Sequence, residues 1–175
     1  MAQGFTISYN ELESMMLAST KDVFAMMLKS SVKQHVIEQE GSLYSHISKI
    51  FGEDTPLVVS NVGFGGQVFG FVYVYMEPRT ALFLAQKMLQ NSDGAIEDNE
   101  HDIVNDAVGE FTNIAVGGFK NQLSYMGYPC DLTIPSILRG KGISVESVSG
   151  CLRTLFHFKT RGQSILAVAI IKDER

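Results

Sequence analysis

The spacing of apolar residues changes along the chain, and this change most constrains the fold. Three segments carry apolar residues at helical spacing, and five others alternate with the two-residue period of strands. The links between consecutive strands are short, which favours antiparallel hairpins over parallel crossovers. The sequence therefore predicts an α/β fold of the α+β type, with helices packed on a largely antiparallel sheet.

These periods predict three helices and five strands. The helices are expected over residues 11 to about 37, in one piece or two, 78 to about 91, and about 98 to 127. The first of them follows a capping-box-like pair, Asn10 and Glu13. The strands are expected over residues 57–62, 67–76, 143–148, 152–159 and 164–171, with 44–51 as a weaker sixth.

The order of these elements is helix, strands, helix, then helix, strands. This order indicates a diverged internal duplication whose halves meet near residue 95. The 175 residues, of which 45% are hydrophobic and 19% charged, suffice for one domain with its own core. We therefore expect a single domain over residues 1–175.

Charge and hydropathy exclude several classes of partner and location. The net charge is -5 and the chain has no run of Lys and Arg, so neither nucleic acid nor an anionic membrane is an expected partner. Residues 1–10 lack the features of a secretory signal, and the longest apolar run, residues 165–171, is far too short to span a bilayer. A cytoplasmic protein with reduced Cys130 and Cys151 is expected.

Several motifs are more typical of structure than of chemistry. Glycines in residues 63–66 suggest a phosphate-binding loop, but a strand follows them instead of a helix, which favours a hairpin turn or bulge. The four histidines share no ligand spacing, and His157 alternates with phenylalanines as an outward-facing strand residue would. Core or dimer packing accounts for the helical methionines Met15, Met16, Met26 and Met27.

The third helix carries the one group of side chains that suggests chemistry. Its broad apolar face is expected to pack on the sheet and consists of Val104, Ala107, Val108, Phe111, Ile114, Ala115 and Gly118. On the opposite side, Glu110 and Asn113 project together from a stripe that includes Asp106 and Gly117. Each helical glycine costs about 1 kcal/mol relative to alanine. The presence of Gly109 and Gly117 therefore indicates that a partner approaches this surface closely. We expect these glycines and Asp106 to contact that partner.

Spacing alone does not decide what this stripe does. A Glu and an Asn three residues apart occur by chance in many chains of this composition, and a solvated helix face would look the same. A hard-cation site built from Asp102, Asp106 and Glu110 is a further alternative, although such sites normally draw ligands from more than one element.

The surroundings of the pair resemble a known family. The run Asn105-Asp-Ala-Val-Gly-Glu-Phe-Thr-Asn-Ile-Ala-Val-Gly-Gly118 resembles the signature helix of the CheX chemotaxis phosphatases, in the wider CheC/CheX/FliY family. Residues 58–76 resemble the family's first hairpin, 77–81 the start of its middle helix, and 131–136 its Pro-containing segment. The resemblance covers about residues 55–171 and, by architecture, the N-terminal helix; residues 1–10 form an N-terminal extension.

This resemblance implies a function as well as a fold. It implies helices on an antiparallel sheet with an internal pseudo-two-fold repeat, and hydrolysis of the aspartyl phosphate on a CheY-type receiver domain. The family's catalytic residues correspond to Glu110 and Asn113. The first helix has no such pair, so a single site is expected. No cofactor is expected in this chain, because Mg²⁺ belongs to the partner receiver.

Two further expectations come with the resemblance. The family's CheX members are homodimers, and the apolar strand at residues 165–171 is expected to offer an uncovered sheet edge for association. The alternative to an enzyme is a non-catalytic module of the same fold that binds a response regulator or the flagellar switch.

Overall fold

The computed structural model describes residues 7–27, 29, 31–35, 42–89, 101–146 and 149–172. In this part of the chain the elements are α1 (Tyr9–Met27), β1 (Lys33–His35), α2 (Leu43–Phe51), β2 (Leu57–Gly66), β3 (Phe69–Met76), α3 (Pro78–Met88), α4 (His101–Tyr125), β4 (Cys130–Leu132), β5 (Ser136–Gly140), β6 (Cys151–Thr160) and β7 (Gln163–Lys172). Every strand pair is antiparallel, which confirms the predicted α+β class.

The sheet has an internal two-fold arrangement. Its order is β1-β6-β7-β3-β2, with β4 and β5 both paired to the outer edge of β2. Each half of the chain contributes a long helix, an edge strand and a hairpin: α1, β1 and β2–β3 in the first half, and α4, β4–β5 and β6–β7 in the second. The inner strands β3 and β7 pair at the centre of the sheet. Each edge strand pairs with the hairpin of the other half.

Two hydrophobic layers cover the two faces of this sheet. Helices α1, α3 and α4 bury the larger core, in which Phe24 of α1 meets Phe111 of α4 edge to face at 5.5 Å between ring centroids. The predicted apolar face of α4 is confirmed, since Val104, Val108 and Phe111 are buried in this layer. On the other face, the smaller helix α2 packs through Leu43 and Ile47.

The two long helices approach closely at Gly118. A Cβ atom added there would lie 3.1 Å from both Cβ and Oγ of Ser19 in α1. The Ser19 hydroxyl donates to the Met15 carbonyl at 2.8 Å, and Gln122 Nε2 donates to Ser19 Oγ at 3.2 Å. This contact fixes α4 against α1, and thereby fixes which side of α4 faces outward.

The capping box of α1 lies two residues earlier than predicted. Ser8 N donates to Glu11 Oε2 at 2.8 Å, and Glu11 N donates to Ser8 Oγ at 3.3 Å. The predicted pair, Asn10 and Glu13, lies inside the helix, where Glu13 Oε1 accepts from Gln34 Nε2 of β1 at 3.1 Å. Both pairs have the required spacing, and only the position of the first helical turn distinguishes them.

The C-terminal end of α4 confirms the predicted end of the third helix at Gly127. This glycine has a φ of 93°, which only glycine adopts at little cost. Its N–H donates to the Ser124 carbonyl at 3.0 Å, and Tyr128 N–H donates to the Leu123 carbonyl at 2.9 Å. This is the Schellman arrangement that ends α4. The predicted start of α4 near residues 98–99 and the predicted end of α3 near residue 91 lie outside the described residues.

Three predictions of secondary structure were wrong. Residues 44–51 form α2 instead of a strand; Ser42 Oγ accepts from Ser45 N at 3.2 Å, and Leu43 and Ile47 share one helical face. The first helix ends at Met27, and β1 follows within the predicted helical stretch because it pairs with β6. Residues 143–146 lie in no strand, whereas β5 forms earlier along the free edge of β2.

The glycine-rich stretch was also assigned wrongly. Residues 63–66 belong to β2, and the hairpin turn is Gln67–Val68 instead. His157 was expected to face outward but is only 9% exposed, and its Nε2 lies 3.1 Å from Ser164 Oγ. Met26 is 68% exposed, unlike the buried Met15 and Met16 of the same cluster.

The expected sheet edge at residues 165–171 does not exist. Strand β7 lies between β3 and β6 and pairs with both along its length, so its backbone offers no free edge. Its continuous apolar run reflects burial on both faces of the sheet. Within the described residues, no helix is long and apolar enough to span a membrane.

Candidate functional site

The predicted pair lies on the outward side of α4. Glu110 is exposed and Asn113 is half-buried, one helical turn apart. Between them, Thr112 is buried and its hydroxyl donates to the Val108 carbonyl at 2.9 Å. Because the buried residues of α4 fix its rotation, Glu110 and Asn113 present a carboxylate and a carboxamide to the same side.

The neighbouring glycines of α4 face the protein's own chain. A Cβ atom added at Gly109 would lie 3.6 Å from Pro135 Cβ, and one added at Gly117 would lie 4.0 Å from Leu132 Cδ1. These are ordinary packing distances, so neither glycine is required by a clash. Gly109 is buried, whereas Gly117 is half-buried and Asp106 is exposed. Contact of these three residues with a partner stays a prediction.

The segment beside α4 is an interrupted edge strand, residues 130–140, which we call the strap. Its β4 part pairs Leu132 with Phe64, and its β5 part pairs Ser136 with Asn61. Between these pairs, the three residues 133–135 of the strap oppose the two residues 62–63 of β2. The strap therefore contains a β-bulge of one extra residue.

Thr133 fastens this bulge to β2. Its N–H donates to the Gly63 carbonyl at 2.8 Å, and its Oγ1 accepts from the Gly63 N–H at 2.9 Å. A Cβ atom added at Gly63 would lie 3.1 Å from the Thr133 methyl carbon and 3.0 Å from the Phe71 ring. The absence of a side chain at Gly63 therefore lets the strap approach β2 closely.

Two residues of the strap beside the site were not identified from the sequence. Ile134, at the middle of the bulge, is 88% exposed. Arg139 donates from Nη2 at 2.7 Å and from Nε at 3.1 Å to Asn105 Oδ1 on α4. Pro135 was a signal that the strand is interrupted, but no local pattern indicates which helix residue lies opposite Arg139.

The alternative cation site does not form. In the described part of the chain, no group of three or more His, Cys, Asp or Glu residues is arranged to hold a metal ion. Asp102, Asp106 and Glu110 occupy successive turns of one helix, so they cannot surround an ion without ligands from another element.

A comparison with protein families assigns the chain to one family. Residues 58–159, more than half of the sequence, match the family described as chemotaxis phosphatase CheX. The chain belongs to the CheX family. Glu110, Asn113 and the whole strap lie inside the matched region. Among curated proteins, no sequence is significantly similar to the chain.

Solved structures of CheX and CheC-like proteins share the fold. Chemotaxis protein CheX from Vibrio vulnificus is 21% identical, with a TM-score of 0.70 over 95% of this chain and 100% of that one. A CheC-like superfamily protein from Shewanella sp. PV-4 is 23% identical, with a TM-score of 0.73 over 95% and 99%. A chain of the CheX–CheY–BeF3–Mg²⁺ complex from Borrelia burgdorferi is 24% identical, with a TM-score of 0.68 over 96% and 100%.

Proposed function

We propose that this protein is a phosphatase that hydrolyses the aspartyl phosphate of a CheY-type receiver domain. The observation that carries the proposal is the paired, outward-facing Glu110 and Asn113 on a helix whose rotation is fixed by packing, inside the segment that matches the CheX family. A solved structure of similar fold contains CheX with CheY, BeF3 and Mg²⁺, which supports a CheY-type receiver as the partner.

The proposed role of Asn113 is to position the attacking water. A carboxamide can both accept from and donate to a water molecule, and it is neutral, so the phosphoryl oxygens do not repel it. Hydrolysis needs that water in line with the bond to the aspartate, and holding it there lowers the entropic part of the barrier. The half-buried Asn113 loses less side-chain freedom on docking than a fully exposed residue would.

The proposed role of Glu110 is to dock the receiver. Its carboxylate would be repelled by the phosphoryl group, but it can pair with the active-site lysine of a receiver in a charge-assisted hydrogen bond. The partner would bring the Mg²⁺ that neutralises charge at the phosphoryl group, and this chain would supply no cofactor of its own. An exposed helix face suits this division, because the receiver contributes the cleft in which the reaction occurs.

The test is a phosphate-release screen of phosphorylated CheY-type receivers with and without the protein. We expect release from at least one receiver to accelerate, and Asn113→Ala to lose nearly all of that acceleration while still binding the receiver. A chain that binds receivers but accelerates none would be a non-catalytic binding module. Unchanged acceleration by Asn113→Ala would show that the water-positioning role is wrong.

We also propose that the protein forms a homodimer, on different grounds from the absent sheet edge. Phe69 and Phe71 are exposed on the part of β3 that α2 leaves uncovered, and half-buried Tyr73 lies beside them. Together with Val145 and Cys151 they line an open cavity of about 330 Å³. Burial of this apolar surface would favour association. Light scattering at tens of micromolar should give the mass of a dimer, and the mass of a monomer would contradict this.

A further inference from the structure

The bulge in the strap places an apolar side chain beside the catalytic pair. Ile134 is 88% exposed although both of its neighbours are held in place. Thr133 is hydrogen-bonded to Gly63 on one side, and Pro135 packs near Gly109 on the other. A bulge changes the direction of side chains along an edge strand. Here it leaves one large apolar side chain in solvent between two anchored residues.

The same strap carries a positive charge that has no acidic partner among the described residues. The only described hydrogen-bond acceptor of Arg139 is the neutral carboxamide of Asn105. By contrast, Arg79 forms an ion pair with Glu77. Partial burial lowers the pKa of Arg139, but a guanidinium remains protonated at neutral pH. The chain as a whole has a net charge of -5.

The strap and α4 run alongside one another in opposite directions. Leu132 lies by Gly117, Pro135 by Gly109, and Arg139 by Asn105. Asn113 lies midway between the two glycines, so the bulge is the part of the strap nearest to it. From Asn105 to Asn113 the helix rises about 12 Å. A protein interface of standard size buries about 800 Å² on each partner, a patch about 30 Å across, so a partner centred on Asn113 reaches the whole strap.

We propose that the strap is a second docking surface for the phosphorylated receiver, which Ile134 contacts by apolar burial and Arg139 by charge. This inference rests on the proposed function. A phosphoryl group carries about two negative charges, and a chain of net charge -5 repels it at long range. A cation fixed at the rim of the site offsets that repulsion and raises the association rate. Burial of the solvated Ile134 slows dissociation.

The experiment uses the full chain and a CheY-type receiver that it dephosphorylates, loaded with Mg²⁺ and BeF3⁻ to hold the activated state. Association and dissociation rates are measured by stopped-flow fluorescence at several salt concentrations. For the apolar contact, Ile134→Ser should raise the dissociation rate about tenfold at every salt concentration. Its matched control is Tyr125→Ser, which removes an equally exposed side chain about 18 Å along α4 from Asn113 and should leave both rates within twofold.

For the charge, Arg139→Gln should slow association about threefold to tenfold at low salt, with the difference vanishing as salt rises. Arg139→Lys keeps the charge and should retain most of the wild-type association rate and its salt dependence. Lys49→Gln removes one charge from exposed α2 on the other face of the sheet and serves as the control.

If either Ile134→Ser or Arg139→Gln docks with wild-type rates, the strap is not a docking surface and the inference is wrong. That result is separable from failure of the proposed function. Asn113→Ala tests catalysis on the same receiver, so a strap variant with wild-type rates beside an inactive Asn113→Ala leaves the phosphatase in place. If no receiver is dephosphorylated by the wild type, the proposed function is wrong, and the inference that rests on it is wrong as well.

Discussion

The two halves of this protein place equivalent elements around one sheet, yet the proposed catalytic pair, Glu110 and Asn113, lies in one half. In the first half, Gln34 of β1 donates to Glu13 of α1, and in the second, Arg139 of β5 donates to Asn105 of α4. The helix α1 contains no Glu that is followed three residues later by Asn. In α4, Glu110 and Asn113 form such a pair.

The edge strands of the two halves differ as much as the helices do. The strand β1 pairs with β6 through three residues in unbroken register. The strap pairs with β2 over two stretches and contains a bulge that projects Ile134. The repeated architecture thus exposes a long helix beside a sheet edge twice. The proposed function depends in addition on two polar side chains, and the proposed docking depends on the shape of the edge strand.

The largest effect is expected when charge is introduced at Asn113, the proposed water-positioning residue. Asn113→Asp keeps the size of the side chain but brings a negative charge towards the phosphoryl oxygens, and should slow receiver dephosphorylation about a hundredfold, or about 2.7 kcal/mol of barrier. Lys21→Asp introduces the same side chain at an exposed position of α1 and should leave the rate unchanged. Dephosphorylation is measured at saturating protein. Equal loss in both variants would mean that the halves do not differ in function.

The next effect concerns the contact between the two helices. Gly118→Leu should lower the free energy of unfolding by about 1–3 kcal/mol, because the larger side chain meets Ser19 where even a Cβ atom lies at 3.1 Å. Gly117→Ala is the matched variant one residue earlier and should raise stability by up to about 1 kcal/mol, since its Cβ reaches only Leu132 at 4.0 Å. Urea unfolding measures both. A stabilising Gly118→Leu would contradict the close approach of α1 and α4.

A smaller loss is expected when Glu110, the proposed docking carboxylate, is removed. Glu110→Ala should weaken binding of the activated receiver about tenfold, or about 1.4 kcal/mol, without unfolding the protein, because Glu110 is exposed and removes no core contact. Asp106→Asn, one turn earlier on the same stripe, should weaken binding less than threefold. Titration calorimetry compares the two variants. Wild-type affinity of Glu110→Ala would rule out the proposed ion pair with the receiver lysine.

The smallest effect is expected at the N-terminal cap of α1, the long helix that lacks the Glu–Asn pair. The pKa of Glu11 is lowered from the ordinary value of about 4.3, first by the backbone N–H of Ser8 and then by its hydroxyl. A lowered pKa stabilises the fold above the unfolded value, and this contribution is lost as the pH falls through the folded pKa. Ser8→Ala should raise the Glu11 pKa in an NMR titration by removing the hydroxyl contact. A constant pKa would show that the cap does not form.

The repeating patterns of residues were sufficient for the class of fold and for the face of α4 that carries the site. Apolar residues recur along the whole of α4, so its buried side, and with it the outward side of Glu110 and Asn113, follows from helical geometry alone. The end of α4 at Gly127 was predictable for the same local reason, because a left-handed residue at that point favours glycine.

Pairing between distant segments decided the rest. Residues 33–35 and 136–140 become strands because β6 and β2 offer them free edges, which no local period reveals. The apolar run at residues 165–171 predicts burial, but its place at the centre of the sheet depends on two partners far away in the chain. The strap beside Asn113 is the clearest case. A bulge exists only as a mismatch between two strands, so neither Ile134 nor Arg139 could be placed beside Asn113 and Asn105 before both strands were in register.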